Sequence, residues 1–417
     1  MTVSRETARW IVWAAFMLGA VGPLVGQQAT GDPQTGKETK GLVSPDDGNR
    51  SDKPKGPTES GWLLFRGNAN STGAASGKLP AKLNVVWEHE IEQGAIEGTP
   101  IIVGGSQPRT YIGDLDGRIL AFDLDSGKLE WEIQLPDKLG FVTAPAFRND
   151  RLYIGDIDGI FHCFDKNGKE LWKFTTDGEI DSSANFYKDL VLFGSQDSKL
   201  YALNADTGDV VWELETGDQV RCSATVIENR AFVAGCDGSL HIIDLDQGKE
   251  VGSVVIESPT GVTPAARGDD VFVGTEQAGF YAINWKTAQV KWKYDDPQGG
   301  LATRSCPAIQ GKHVVLGANN RKVYSLNAET GQVNWTTVLK SKIVSSPVIV
   351  DGRVLVGSTD GRFYELNLET GEIVWQKELR GGIIGSPAVG FGRVVIATDR
   401  GVVYCLGDKD AGKQNIP

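Results

Sequence analysis

Three regularities predict an all-β fold, an eight-bladed β-propeller of four-stranded antiparallel blades closed by the N-terminal strand. First, a unit of four short apolar runs and three turn signals recurs at a spacing of about 40 residues. Second, a tryptophan marks the fourth run of almost every copy. Third, the series opens with an isolated fourth-type strand and ends on a copy that lacks one.

The clearest copy is residues 343–379, IVSSPVIVDGRVLVGSTDGRFYELNLETGEIVWQKEL. Its apolar runs, labelled a to d in chain order, are separated at Asp351-Gly352, Asp360-Gly361 and Thr370-Gly371. Asp-Gly between alternating apolar runs predicts a tight hairpin with positive φ at both central residues. Each copy is therefore an antiparallel meander, and helical repeats of similar length are excluded by the missing 3.6-residue period.

The aromatic column of strand d is Trp87, Trp131, Trp172, Trp212, Trp292, Trp335 and Trp375, with Gly252 in the remaining slot. Successive spacings are 44, 41, 40, 40, 40, 43 and 40 residues. A Trp repeated once per blade can fill the space between neighbouring sheets. Gly252 breaks the column, so blade 4 is expected to pack least well. Closure follows from the ends. Residues 84–91, with Trp87, form a d-type strand with no a, b or c before it, and the last copy stops after strand c at 402–406. Joining them removes the open edges of the array.

Outside the repeats, Arg5 and Arg9 precede an apolar run, so residues 1–26 read as a signal peptide or an uncleaved N-terminal anchor. No cysteine precedes Cys163, so no lipid attachment is expected in this leader. Residues 27–60 are polar and Gly/Pro-rich and should be a disordered linker, because they bury too little apolar surface to offset their ordering entropy. Residues 61–83 carry Trp62, Leu63, Leu64 and Phe65 and are expected to dock on the propeller as a lead-in segment. The propeller then spans 84–407, with a flexible tail at 408–417. Lys+Arg 42 against Asp+Glu 54 gives a net charge of −12, which excludes nucleic acid and anionic membrane as charge-driven partners. Membrane contact is expected only through the N-terminal segment.

Alignment of the copies separates packing from chemistry. His162 and His241 occupy the c-strand column otherwise held by Tyr201, Tyr281, Tyr324, Tyr364 and Tyr404, so they read as packing residues. No His/Cys cluster has metal-ligand spacing. Asp114/Asp116 and Asp156/Asp158 resemble calcium loops, but each leads into a hairpin glycine and reads as turn chemistry. At the start of strand a the copies read EGTP, VTAP, DSSA, RCSA, GVTP, RSCP, VSSP and IGSP. Most of these positions are small or apolar. Glu97, Asp181, Arg221 and Arg304 are charged without any demand from the repeat. They are predicted to meet at one mouth of the central channel as a ligand site, with interblade ion pairing as the alternative. A hairpin centred on Asn229 would place Cys222 opposite Cys236, predicting a disulfide in an oxidising compartment. A register one residue away would separate them.

The segment ALNADTGDVVW, from Ala202 to Trp212, resembles the PQQ-type repeat signature Ala-x-Asp-x-x-Thr-Gly-x-x-x-Trp, with Asn204 for Asp. The copies ending at Trp335 and Trp375 match with the first Ala also changed, and the resemblance covers 84–407. The FRGN lead-in at 65–68 is similar to an element preceding the propeller in exported proteins of this kind. The family includes quinoprotein alcohol dehydrogenases and the non-catalytic BamB-type propeller of outer-membrane protein assembly. The dehydrogenase branch implies PQQ with calcium, an adjacent Cys-Cys pair and metal ligands on long insertions. Here Cys163, Cys222, Cys236, Cys306 and Cys405 are dispersed, and the segments between copies are short. The expected function is an exported, non-catalytic scaffold of the cell envelope or periplasm. It would bind other envelope proteins through its rims and need neither catalytic residues nor a cofactor. A PQQ-dependent quinoprotein oxidoreductase and a small-ligand binder in the channel are the alternatives.

Overall fold

The computed structural model describes residues 61–136, 140–277 and 279–408. The signal peptide or anchor, the linker, and the tail beyond residue 408 lie outside the described residues. Every named element is a strand, and the strands form eight separate sheets. In blade 1 the order is a (Ile101–Val103), b (Arg109–Gly113), c (Arg118–Asp123) and d (Leu129–Gln134). The pattern repeats at 146–175, 185–215, 225–255, 265–294, 308–338 and 348–378, which are blades 2 to 7. Blade 8 takes a, b and c from Ala388–Gly390, Arg393–Ala397 and Val402–Gly407, and its d strand is Asn84–Glu90. Trp87 lies opposite Cys405 in that antiparallel pair, so the N-terminal strand closes the ring as the column pattern predicts.

The turns are less uniform than the sequence suggests. Asp351 and Gly352 have φ of 50° and 73°, the expected pair. At Asp360-Gly361 and Thr370-Gly371 only the glycines, at 83° and 73°, are left-handed. Those loops are longer and end on one glycine. The Asx residue closing strand c serves the c–d turn, with Asn367 Oδ1 accepting the N–H groups of Glu369 and Thr370 at 2.9 and 3.0 Å. Asp156 Oδ1 similarly accepts from Asp158 and Ile160 at 3.0 and 2.8 Å, so this acid serves its own turn. His162 bridges Glu170 and Asp156 at 2.8 and 3.0 Å, while Tyr201 in the same column donates to Asp197 at 2.6 Å.

A β-bulge precedes the aromatic slot of each d strand. In blade 7, Glu365 faces Trp375 and Leu366 faces Ile373, leaving Val374 extra. The indole then reaches the next blade. Trp335 Nε1 donates to Leu368 O at 2.8 Å, and its ring lies over Gly371, where an added Cβ would sit 2.5 Å from ring carbons. Trp87 repeats this with Leu124 O and Gly127, and Trp292 with Ala328 O and Gly331. The Thr-Gly glycine of one copy is thus the seat of the preceding copy's Trp.

At blade 4 the gap in the Trp column is met by a change in the next blade. Opposite Gly252 the seat in blade 5 is Ala288, at φ 52°, so the Trp–Gly pair has become Gly–Ala. Trp285 of blade 5 fills the interface from the other side. Its ring centre lies 5.9 Å from that of Phe232, and its Nε1 donates to Gly268 O at 2.9 Å.

The predicted Cys222–Cys236 disulfide is corrected, since both thiols are free. Val226 faces Ala231 and Ile227 faces Arg230, a two-residue turn that shifts the register by one from the hairpin centred on Asn229. Strand a covers only Thr225–Ile227, so Cys222 lies before the ladder, where its Sγ accepts the Ala234 N–H at 3.2 Å.

Candidate functional site: the central channel

Strand a is nearest the axis, and the tetrads at its start build the channel in tiers. The first residues of the tetrads form the mouth and the third residues form a ring below it. Together they line a cavity of about 170 Å³. Glu97, Asp181, Arg221 and Arg304 all line this one cavity, from blades 1, 3, 4 and 6. The second residues turn between blades, which is why Cys222 is buried.

The mouth charges have local partners. Asp181 Oδ2 accepts from Gln196 Nε2 at 2.8 Å. Burial raises the Asp181 pKa, opposed by the nearby Arg221 guanidinium. Arg221 Nε donates to Gln219 Oε1 at 2.9 Å. Arg304 Nε lies 3.5 Å from Glu276 of the preceding blade, so interblade pairing is present here alongside the clustering. Between the two arginines in blade order stands Gly261, which brings no side chain to the rim.

The ring below is a chain of hydrogen bonds that sequence reasoning passed over as small filler. The N–H of Ala144 donates to Ser183 Oγ at 2.8 Å, Ser183 to Ser223 at 2.9 Å, and Ser223 to Thr263 at 2.9 Å. Cys306 donates to Ser346 at 2.9 Å, Ser346 to Ser386 at 3.1 Å, and Ser386 to Thr99 at 2.9 Å. Each hydroxyl thus satisfies a buried backbone donor of the preceding blade, which would otherwise be costly to bury. No such bond is found from Thr99 to Ala144 or from Thr263 to Cys306, where the receiving residue has no hydroxyl.

The other end of the channel is occupied by the lead-in. Its carbonyls accept the central N–H of successive inner strands: Ile102 to Trp62 and Phe147 to Leu63, both at 2.9 Å, then Val226 to Ala69 at 2.8 Å. Ala266 bonds to Asn70, Ile309 to Thr72 and Ile349 to Gly73, at 2.9, 2.7 and 2.9 Å. Ala74–Ala75 then pairs in parallel with blade 7. This collar satisfies inner-strand donors that have no neighbouring strand on the axial side. Phe65 lines the floor of the cavity. Next to it, Arg66 is fully buried and donates through Nη2 to Pro307 O at 3.2 Å and Pro347 O at 2.5 Å. Burial pulls its pKa down to about 10, so it remains a cation at neutral pH. Gly73, at φ 60°, is required at the crossing, since a Cβ there would overlap the Arg66 guanidinium.

Burial pushes the thiols of Cys163, Cys222 and Cys405 up to about 12, which leaves them protonated and poor nucleophiles. Among the described residues, no group of three His, Cys, Asp or Glu side chains is placed to hold a metal ion.

A family model described as outer membrane protein assembly factor BamB matches residues 80–225, 218–348 and 340–414, which together span the entire ring. The chain belongs to the BamB family. Among curated BamB proteins it is 25% identical over 205 residues to that of Nitrosomonas eutropha, 46% of this chain and 47% of the relative. To that of Burkholderia pseudomallei it is 25% identical over 195 residues, 45% and 49% of the two chains. The matches thus span about half the length of these BamB relatives. Of solved structures, a europium-containing methanol dehydrogenase superposes with a TM-score of 0.72 at 14% identity, covering 84% of this chain and 98% of that one. At such identity the likeness concerns the propeller fold alone.

Proposed function

We propose that this BamB-family propeller is an exported, non-catalytic scaffold that binds other proteins of the cell envelope through its rims. The observation that carries the reading is the match to the BamB family model around the whole ring. The surface supports it. On the outer strands Val211 and Val374 are 54% and 55% exposed, beside the exposed Val210 and Ile373. Paired β-branched residues on a rim are apolar area available to a partner. The bulges at these same valines break the edge ladder and limit indiscriminate strand addition.

The quinoprotein alternative fits the channel poorly. Ligand pockets usually measure about 300–1,000 Å³, and the cavity of about 170 Å³ above Phe65 leaves little room for a tricyclic quinone. The protonated buried thiols offer no redox pair beside it. Two assays test the reading together. Purified full-length protein supplied with PQQ and calcium should reduce no dye with alcohols or sugars. Crosslinking mass spectrometry on native envelopes should give reproducible links from outer-strand lysines such as Lys377 to one set of envelope proteins. PQQ-dependent turnover without such links would overturn it.

A further inference from the structure

The channel holds an arrangement of donors that the scaffold reading does not use. Ser183, Ser223, Thr263, Ser346, Ser386 and Thr99 each spend an oxygen lone pair on a backbone N–H from the preceding blade. Each keeps its O–H hydrogen and one further lone pair, and these residues line the cavity. The ring can therefore offer hydroxyl donors to a group on the axis.

On one side of the same space stand two cations. Arg221 and Arg304 reach it from blades 4 and 6, with Gly261 leaving the intervening blade without a side chain. Arg66 follows Phe65 in the chain and does not itself line the cavity. Its Nε and Nη1 are buried with no hydrogen-bond partner, and the two acceptors it has are neutral carbonyls. Arg66 forms no carboxylate ion pair among the described residues, an expensive arrangement for a buried cation unless an anion lies nearby. The charged side chains lining the cavity, two arginines and two carboxylates, sum to zero in a chain of net charge −12.

We propose that the blind channel binds a small oxyanion, a carboxylate or phosphate group, between Arg221 and Arg304 and above the hydroxyl ring. Guanidinium groups match both oxyanions in geometry and charge. The cavity of about 170 Å³ equals the liquid volume of about six waters, which suits inorganic phosphate or a short dicarboxylate. Glu97 and Asp181 occupy the mouth on blades 1 and 3 and repel an anion from that side, which favours its seat against blades 4 to 6.

The test is calorimetric titration and thermal unfolding of the full chain with sodium phosphate, sodium succinate or sodium chloride at matched ionic strength. Phosphate or succinate should bind with one-to-one stoichiometry and raise the melting temperature, and chloride should do neither. Whichever of the two binds more tightly identifies the source of the oxyanion. Arg304→Gln, and separately Arg221→Gln, should weaken binding by about tenfold or more and shrink the rise in melting temperature that the oxyanion gives over chloride. An equal effect of chloride, no binding of either oxyanion below about 10 mM, or unaltered affinity in both variants would overturn the proposal.

Discussion

Gly371→Ala probes the interblade lock at one of its tightest points. Gly371 has φ 73°, and an added Cβ would lie 2.5 Å from two carbons of the Trp335 ring. The left-handed backbone alone costs alanine about 1 kcal/mol. Displacing a packed indole adds about 1–3 kcal/mol. Loss of the Trp335 Nε1 bond to Leu368 O adds about 1 kcal/mol, for a total of about 3–5 kcal/mol. Gly352→Ala is the control, because Gly352 shares φ 73° but has no atom within 4 Å of the added Cβ. That substitution should cost only the backbone term. In a Trp335→Gly background, Gly371→Ala should likewise fall to about 1 kcal/mol, a coupling of about 2–4 kcal/mol. The natural Gly252–Ala288 pair is the precedent for that double change. Urea unfolding followed by circular dichroism measures the parent and all four variants. Equal costs for Gly371→Ala and Gly352→Ala, or additivity in the double variant, would refute the lock.

Two further perturbations reach other parts of the ring. Ser346→Ala removes the acceptor of the Cys306 N–H and breaks the inner relay, and should lower the unfolding free energy in urea by about 1–3 kcal/mol; no change would mean that the relay contributes nothing. Burial raises the pKa of Asp296, but hydrogen bonds from Lys322, Tyr324 and the Gln298 N–H outweigh it and hold the group down at about 2. Its folded pKa is below the unfolded value, so its stabilisation is present above about pH 4 and is lost as pH falls toward about 2. Asp296→Asn should flatten the acid side of a urea-midpoint profile in that window, and a slope identical to the parent would contradict the assignment.

The ring was legible because blade count and closure depend only on column spacing. Trp87 without a preceding a–c set is enough to join the ends. The charged mouth was legible for the same reason, since Glu97, Asp181, Arg221 and Arg304 depart from what their column needs. The disulfide failed on a single register step. Two- and three-residue turns around Asn229 both suit the sequence, and only backbone geometry chooses between them. The Gly252–Ala288 exchange was present in the columns, but its meaning needs the knowledge that a d-strand residue meets the next blade's turn. The hydroxyl ring hid among small residues because Ser and Thr there looked like space-fillers. The collar around Arg66 follows no repeat, so no period could reveal it.

Site-specific photocrosslinking in native envelopes tests the scaffold claim most directly. A photoreactive residue replacing Val211 or Val374 on the exposed outer strands should capture a defined envelope protein, while one replacing Ala144 in the ring inside the channel should capture none. Capture from the channel position alone, with nothing captured from either rim position, would contradict the account.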